Sequence, residues 1–114
     1  MLIVDSKQVP VDKDTRLKVL FPAEAIPGGR LTFGTVTIPP KGRIPTTGMG
    51  VHPEDEYSLV VKGSVITGTA DRVSLLTAGQ AALIPAGEAH WSCNEGEDEC
   101  EIVWALVSRE RLAL

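Results

Sequence analysis

The chain has 114 residues, a length that suits one domain and leaves no room for a second. Apolar residues make up 43% and charged residues 23%, so a single core can hold the fold without disulfides. The net charge of −4 and the scattered Lys and Arg argue against a nucleic-acid partner, which needs a basic face, and against a polybasic lipid-binding segment.

No apolar run approaches the roughly 20 residues that cross a bilayer. Met1-Leu2-Ile3-Val4-Asp5 lacks the basic start, apolar core and cleavage site of a signal peptide. The expected location is the cytoplasm, where Cys93 and Cys100 would remain free thiols.

In chain order, Leu2-Ile3-Val4 comes first, a candidate intersubunit strand because an exposed apolar edge is usually paired. Leu17 to Phe21 is a short apolar run ending at Pro22. Leu31 to Ile38 alternates and stops at Pro39-Pro40, which cannot donate to a ladder. Tyr57 to Val61 closes at Lys62-Gly63, and Val65 to Thr69, Val73 to Leu76 and Ala81 to Ile84 follow. Ile102 to Val107 is the last run. Short runs bounded by turn residues predict an all-β sandwich or barrel of six to eight strands. The polar stretch Asn94-Glu95-Gly96-Glu97-Asp98 predicts a hairpin between its flanking strands. Such a hairpin would set Cys93 opposite Cys100 and place Ser92 and Glu101 on the His90 face. Ser108 to Leu112 is expected to form a short helical turn with Ser108 as N-cap.

The two histidines of the chain carry its chemistry. The first opens His52-Pro53-Glu54-Asp55-Glu56 and the second closes Pro85-Ala86-Gly87-Glu88-Ala89-His90. Residues two or four apart on a strand share a face, so His52 and Glu56 can point inward together while His90 arrives from a later strand. Imidazole and carboxylate suit Fe, Mn, Ni, Co or Zn, and two histidines with one carboxylate leave coordination positions open. No cysteine joins the set, which argues against a closed structural zinc site. Cys93 is an odd number of residues from His90 and faces away from it on a regular strand.

Gly79, Pro85, Gly87, His90 and Asn94 stand at the spacing of the second motif of the cupin superfamily, and His52, Glu56 and Gly63 resemble the end of its first motif. The chain is therefore similar to the small RmlC-like cupins over about Ile44 to Asn94. That resemblance implies one cupin barrel over residues 1–114, of the jelly-roll or double-stranded β-helix type. It also implies a divalent metal ligated by His52, Glu56 and His90, and a homodimer. Two positions depart from the family pattern: Ile44 stands where a glycine is usual, and Gly50 replaces a further histidine. Glu54 or Glu101 is then a candidate fourth ligand.

The expected function is a metal-binding cupin that binds or transforms a small polar molecule, by dioxygenase, isomerase, lyase or decarboxylase chemistry. The rivals are a ligand-binding or sensing module without catalysis and a metal-free barrel. A polar pocket with an acid or base beside the metal would favour an enzyme, whereas a closed apolar pocket with no titratable group beyond the ligands would favour a binder. Thr46, Thr47 and Met49 are expected near the mouth of the site. Trp91 and Trp104 could line a binding site, but the expected place is the outer face or a subunit interface, where large aromatics contribute apolar area.

Overall fold

The structure is a computed structural model that describes residues 1–109. These residues form nine strands: β1 (Leu17–Phe21), β2 (Leu31–Ile38), β3 (Arg43–Ile44), β4 (Glu54–Lys62), β5 (Ser64–Thr69), β6 (Val73–Thr77), β7 (Ala81–Ile84), β8 (His90–Cys93) and β9 (Cys100–Ser108). All named pairings are antiparallel. One sheet runs β1-β2-β9-β4-β7 and the other β3-β8-β5-β6, giving the jelly-roll arrangement expected of a cupin. The six to eight expected strands become nine because Arg43–Ile44 is too short to read from periodicity.

Side chains alternate across these strands, so each sheet turns one face to the core. Val36 and Ile38 of β2, Val60 of β4, Val65 of β5, and Cys100, Ile102 and Trp104 of β9 form the buried cluster. Leu17, Ile44, Leu76 and Leu106 pack against it. Trp104 is 6% exposed, so it belongs to the core and not to the outer face. Gly34 lies directly opposite Trp104 in the β2–β9 ladder, and the indole fills the space where Gly34 has no side chain. Trp91 packs on Gly68 across the β5–β8 ladder with the Arg43 guanidinium over its ring, 5.4 Å from the centroid.

The segment 94–98 is not the turn of a hairpin. β8 pairs with β3 and β5 in one sheet, and β9 with β2 and β4 in the other, so this segment carries the chain between sheets. Asn94 is fully buried and organises the crossing. Its side chain donates to the carbonyls of Ile38 and Asp98, at 2.9 and 2.8 Å, and accepts from the Gly96 N–H at 2.9 Å. Cys93 therefore faces Arg43 and Ile66, Cys100 faces Ile38, and both are free thiols. Leu2, Ile3 and Val4 are exposed and form no strand. Ser108 ends β9, and residues 110–112 of the expected helical turn lie outside the described residues. Among the described residues no helix is long and apolar enough to cross a membrane.

A Cβ at Gly34 would collide with both the Lys18 carbonyl oxygen and the Trp104 indole. Gly34→Ala is expected to destabilise the fold by about 1–3 kcal/mol through overpacking, read as a lower urea midpoint.

Candidate metal centre

Each of the three site residues is set by a different piece of backbone. Glu56 projects from β4, in the five-stranded sheet. His90 opens β8 in the facing sheet, paired with Thr69 on one side and bridged to Gly50 on the other. That bridge is a double one, with Gly50 N–H to His90 O at 2.8 Å and His90 N–H to Gly50 O at 3.0 Å. His52 follows two residues later, and its carbonyl accepts the Gly87 N–H at 2.9 Å. Gly87 has φ +84°, a left-handed conformation that glycine adopts without steric cost. The two histidine-bearing segments are thus tied to each other before any side chain is considered.

The side chains converge. His52 Nε2 lies 3.4 Å and His90 Nε2 3.7 Å from Glu56 Oε1. One ligand atom from each of the three residues lies within 4.8 Å of the others, a grouping that could hold a metal ion. Ligands about 2.1 Å from one ion stand roughly 3.0–3.5 Å apart, so little movement is needed to close on a metal. Both imidazoles are oriented by the other ring nitrogen. His52 Nδ1 lies 3.0 Å from the Glu54 carbonyl, and His90 Nδ1 2.8 Å from that of Glu88. With Nδ1–H donated to a carbonyl, Nε2 is the bare nitrogen, which is how ligating histidines are usually held. His52 Nε2 is buried with no hydrogen-bond partner, an orphaned acceptor that a metal ion would satisfy. The residues present therefore fit a divalent ion.

The charges are mutually supporting. Burial pushes the Glu56 carboxyl up, but the facing imidazoles of His90 and His52 outweigh it and bring it below its ordinary value of 4.5. The Glu56 carboxylate facing it raises His90 above 6.5, against burial and with help from the Glu88 carbonyl. Next to Glu56, Asp55 points the other way along the strand and latches the frame. It accepts from Ala86 N–H at 2.8 Å, and Arg109 clamps it with Nε at 3.0 Å and Nη2 at 2.8 Å.

Neither candidate fourth ligand joins the cluster. Glu54 lies two residues from Glu56 on the same face of β4, with Oε2 buried and unpartnered, yet outside the metal grouping. Glu101 pairs with Thr37 and Lys62 on the five-stranded sheet, in a groove with Lys7 and Lys18. Its placement near His90 depended on the hairpin that does not form. Ser92 instead shares a 2.9 Å hydrogen bond with Thr67. Pro45 and Gly50 line the site, whereas Thr46, Thr47 and Met49 do not.

The triad opens into a cavity of about 220 Å³ between the sheets. Its walls include Val36, Val65, Leu76, Ile102, Trp104 and Leu106, with Ser58 and Thr67 as its hydroxyl-bearing residues. Among the described residues, no titratable side chain beyond His52, Glu56 and His90 lines it. Alternation alone could not reveal this chamber, because inward apolar positions read the same whether they meet or stand apart.

Two facing antiparallel sheets around an internal chamber, with ligating side chains at one end, define the jelly-roll class of small barrel. The chain belongs to the cupin family, whose cupin-domain model matches residues 34–106. Among solved structures it is similar to a predicted oxalate decarboxylase from Thermotoga maritima, at 18% identity and TM-score 0.81, covering 95% of this chain and 100% of that one. It is similar to the polyketide cyclase RemF from Streptomyces resistomycificus at 20% identity and TM-score 0.78, covering 96% and 80%. A third, TT1209 from Thermus thermophilus, shares 22% identity at TM-score 0.75 and covers 96% and 100%. A comparison with curated proteins yields no match.

For metal-free protein, the pair makes stability depend on pH in two opposite ways. Glu56, lowered in the fold, contributes stability above about 4.5 that is lost as pH falls through its folded value. His90, raised in the fold, contributes stability below about 6.5 that is lost as pH rises through its folded value. Chelator-treated protein should therefore melt highest between those two values, and Glu56→Gln should flatten the maximum; thermal melts across the pH range check this.

Proposed function

We propose that the chain is a metal-binding cupin in which His52, Glu56 and His90 hold a divalent transition metal and present it to a small organic molecule in the adjoining cavity. The observation that carries this reading is the oriented triad, with both Nδ1 atoms engaged by carbonyls and the bare Nε2 atoms turned to Glu56. The neighbours named as a predicted oxalate decarboxylase and a polyketide cyclase support an organic, oxygen-bearing partner. Gly50 leaves room at the metal's flank: an added Cβ there would meet nothing closer than 3.8 Å. A ligand atom can occupy that side.

Bound in this site, the ion would supply Lewis acidity or an oxygen-binding centre. The chain's own residues orient and exclude. The Glu54 and Glu88 carbonyls fix the imidazole tautomers, Glu56 supplies the single negative charge, and apolar side chains wall the chamber beside them. Among the described residues the walls add no titratable group to the triad, which favours binding or sensing over proton-transfer catalysis by the protein. Any turnover would draw its chemistry from the metal centre.

A homodimer is also proposed. Tyr57, Leu59 and Val61 of β4 and Leu83 of β7 are 41–56% exposed, an apolar outward row where a solvated sheet face is normally polar. Sedimentation velocity should show twice the 12.2 kDa chain mass, and Leu59→Lys with Leu83→Lys should return it to the monomer.

Mass spectrometry of untagged protein is expected to find about one transition metal per chain, lost in His52→Ala/His90→Ala. Gly50 sits directly across the bridge from His90, so a side chain there shares its face. Gly50→His should therefore add a fourth ligand and tighten the metal about tenfold or more in chelator competition. No metal in the native protein, and none taken up on titration, would sink this reading.

A further inference from the structure

The cavity that the triad opens into is walled mostly by apolar side chains, and its size is limited. A cavity of about 150 Å³ lined by aliphatic side chains stays dry and takes up benzene. Scaled from that case, the 220 Å³ chamber holds about nine non-hydrogen atoms. The Thr67 hydroxyl is already engaged with Ser92, at 2.9 Å. Trp104 forms part of the wall, and its indole Nε1 is buried without an acceptor. The body of a ligand seated here meets Val36, Val65, Leu76 and Trp104, so it must be apolar and compact.

Charge fixes the other end of the ligand. A divalent ion held by the Glu56 carboxylate and two neutral imidazoles leaves one net positive charge. That charge is expensive at the end of an apolar chamber unless it is matched. A single oxyanion cancels it, whereas a dianion overshoots it and a neutral donor leaves it standing.

We propose that the site selects a compact apolar monoanion of about nine non-hydrogen atoms, with its oxyanion at the triad and its hydrocarbon body in the chamber walled by Trp104 and Leu76. This rests on the metal reading above and adds the ligand class.

Benzoate has this size and charge and serves as the probe. Trp104 fluorescence reports binding in a Trp91→Phe background, since Trp91 packs on Gly68 away from the cavity. With Zn²⁺ loaded, benzoate is expected to bind roughly thirtyfold or more tightly than acetate, because its ring is buried. 2-Naphthoate, too large for the chamber, should fall back towards acetate. Leu76→Phe, which fills the chamber, should abolish the preference for benzoate while zinc affinity is unchanged. Equal affinities for acetate, benzoate and naphthoate on zinc-loaded protein would overturn the proposal and leave the metal centre standing. Failure to take up zinc would overturn both. Benzyl alcohol, which carries the ring without the charge, then reports whether the chamber binds rings by itself. The size series needs no substitution in the chamber, so misfolding of Leu76→Phe cannot shelter the idea.

Discussion

Glu56 must keep its charge inside an apolar barrel, and much of the architecture answers that requirement. Burial alone would push its pKa up, yet the carboxyl is held below its ordinary value because two imidazoles stand 3.4 and 3.7 Å away. Those imidazoles come from two segments that backbone hydrogen bonds tie to each other. His90 belongs to the sheet facing the one that carries Glu56, so the pair spans the gap between sheets. A buried charge with its partner removed is costly, so the site and the packing of the two sheets depend on one another.

Backbone, more than side chains, delivers the histidines. The Gly50–His90 bridge, the Gly87 N–H on the His52 carbonyl and the Asp55 latch on Ala86 N–H and Arg109 form a closed circuit around the triad. Each imidazole then meets a carbonyl two residues away along its own chain. Ring orientation is therefore settled locally, and neither histidine needs a distant side chain to choose its tautomer.

The strands and the triad were legible because both rest on short-range order. Leu31 to Ile38 and Ala81 to Ile84 match β2 and β7 end to end, since proline and glycine punctuate them. His52, Glu56 and His90 converge as their motif positions implied. What could not be read was which strand pairs with which. Asn94 to Asp98 has the composition of a tight turn, but the buried Asn94 side chain bonds Ile38, 56 residues away, and sends the chain to the other sheet. Two expectations that needed that hairpin failed with it: the Cys93–Cys100 juxtaposition and the approach of Glu101 to His90. Trp104 misled for a related reason. Its size suggests an outer or interfacial place, and only the β2–β9 register, which sets Gly34 against it, shows that the core has room.

Gly50 and the apolar chamber make sense together. An imidazole at position 50 would share the face of His90 and add a ligand, so its loss weakens the hold on a metal. The same loss leaves space at the flank of the triad, where an added Cβ touches nothing closer than 3.8 Å. Space beside a metal is of use only if a ligand can fill it, and the adjoining walls decide which ligands can. Val36, Val65, Leu76 and Trp104 offer little hydrogen bonding, so they reward hydrocarbon and reject strongly hydrated solutes. Two neutral imidazoles and a single carboxylate leave a divalent ion with one charge unmatched. Removing an imidazole changes the room at the site without changing that charge, because imidazole ligates as a neutral group. Gly50 therefore acts on size and affinity, while Glu56, as the one anionic ligand, sets the charge that a bound molecule must meet.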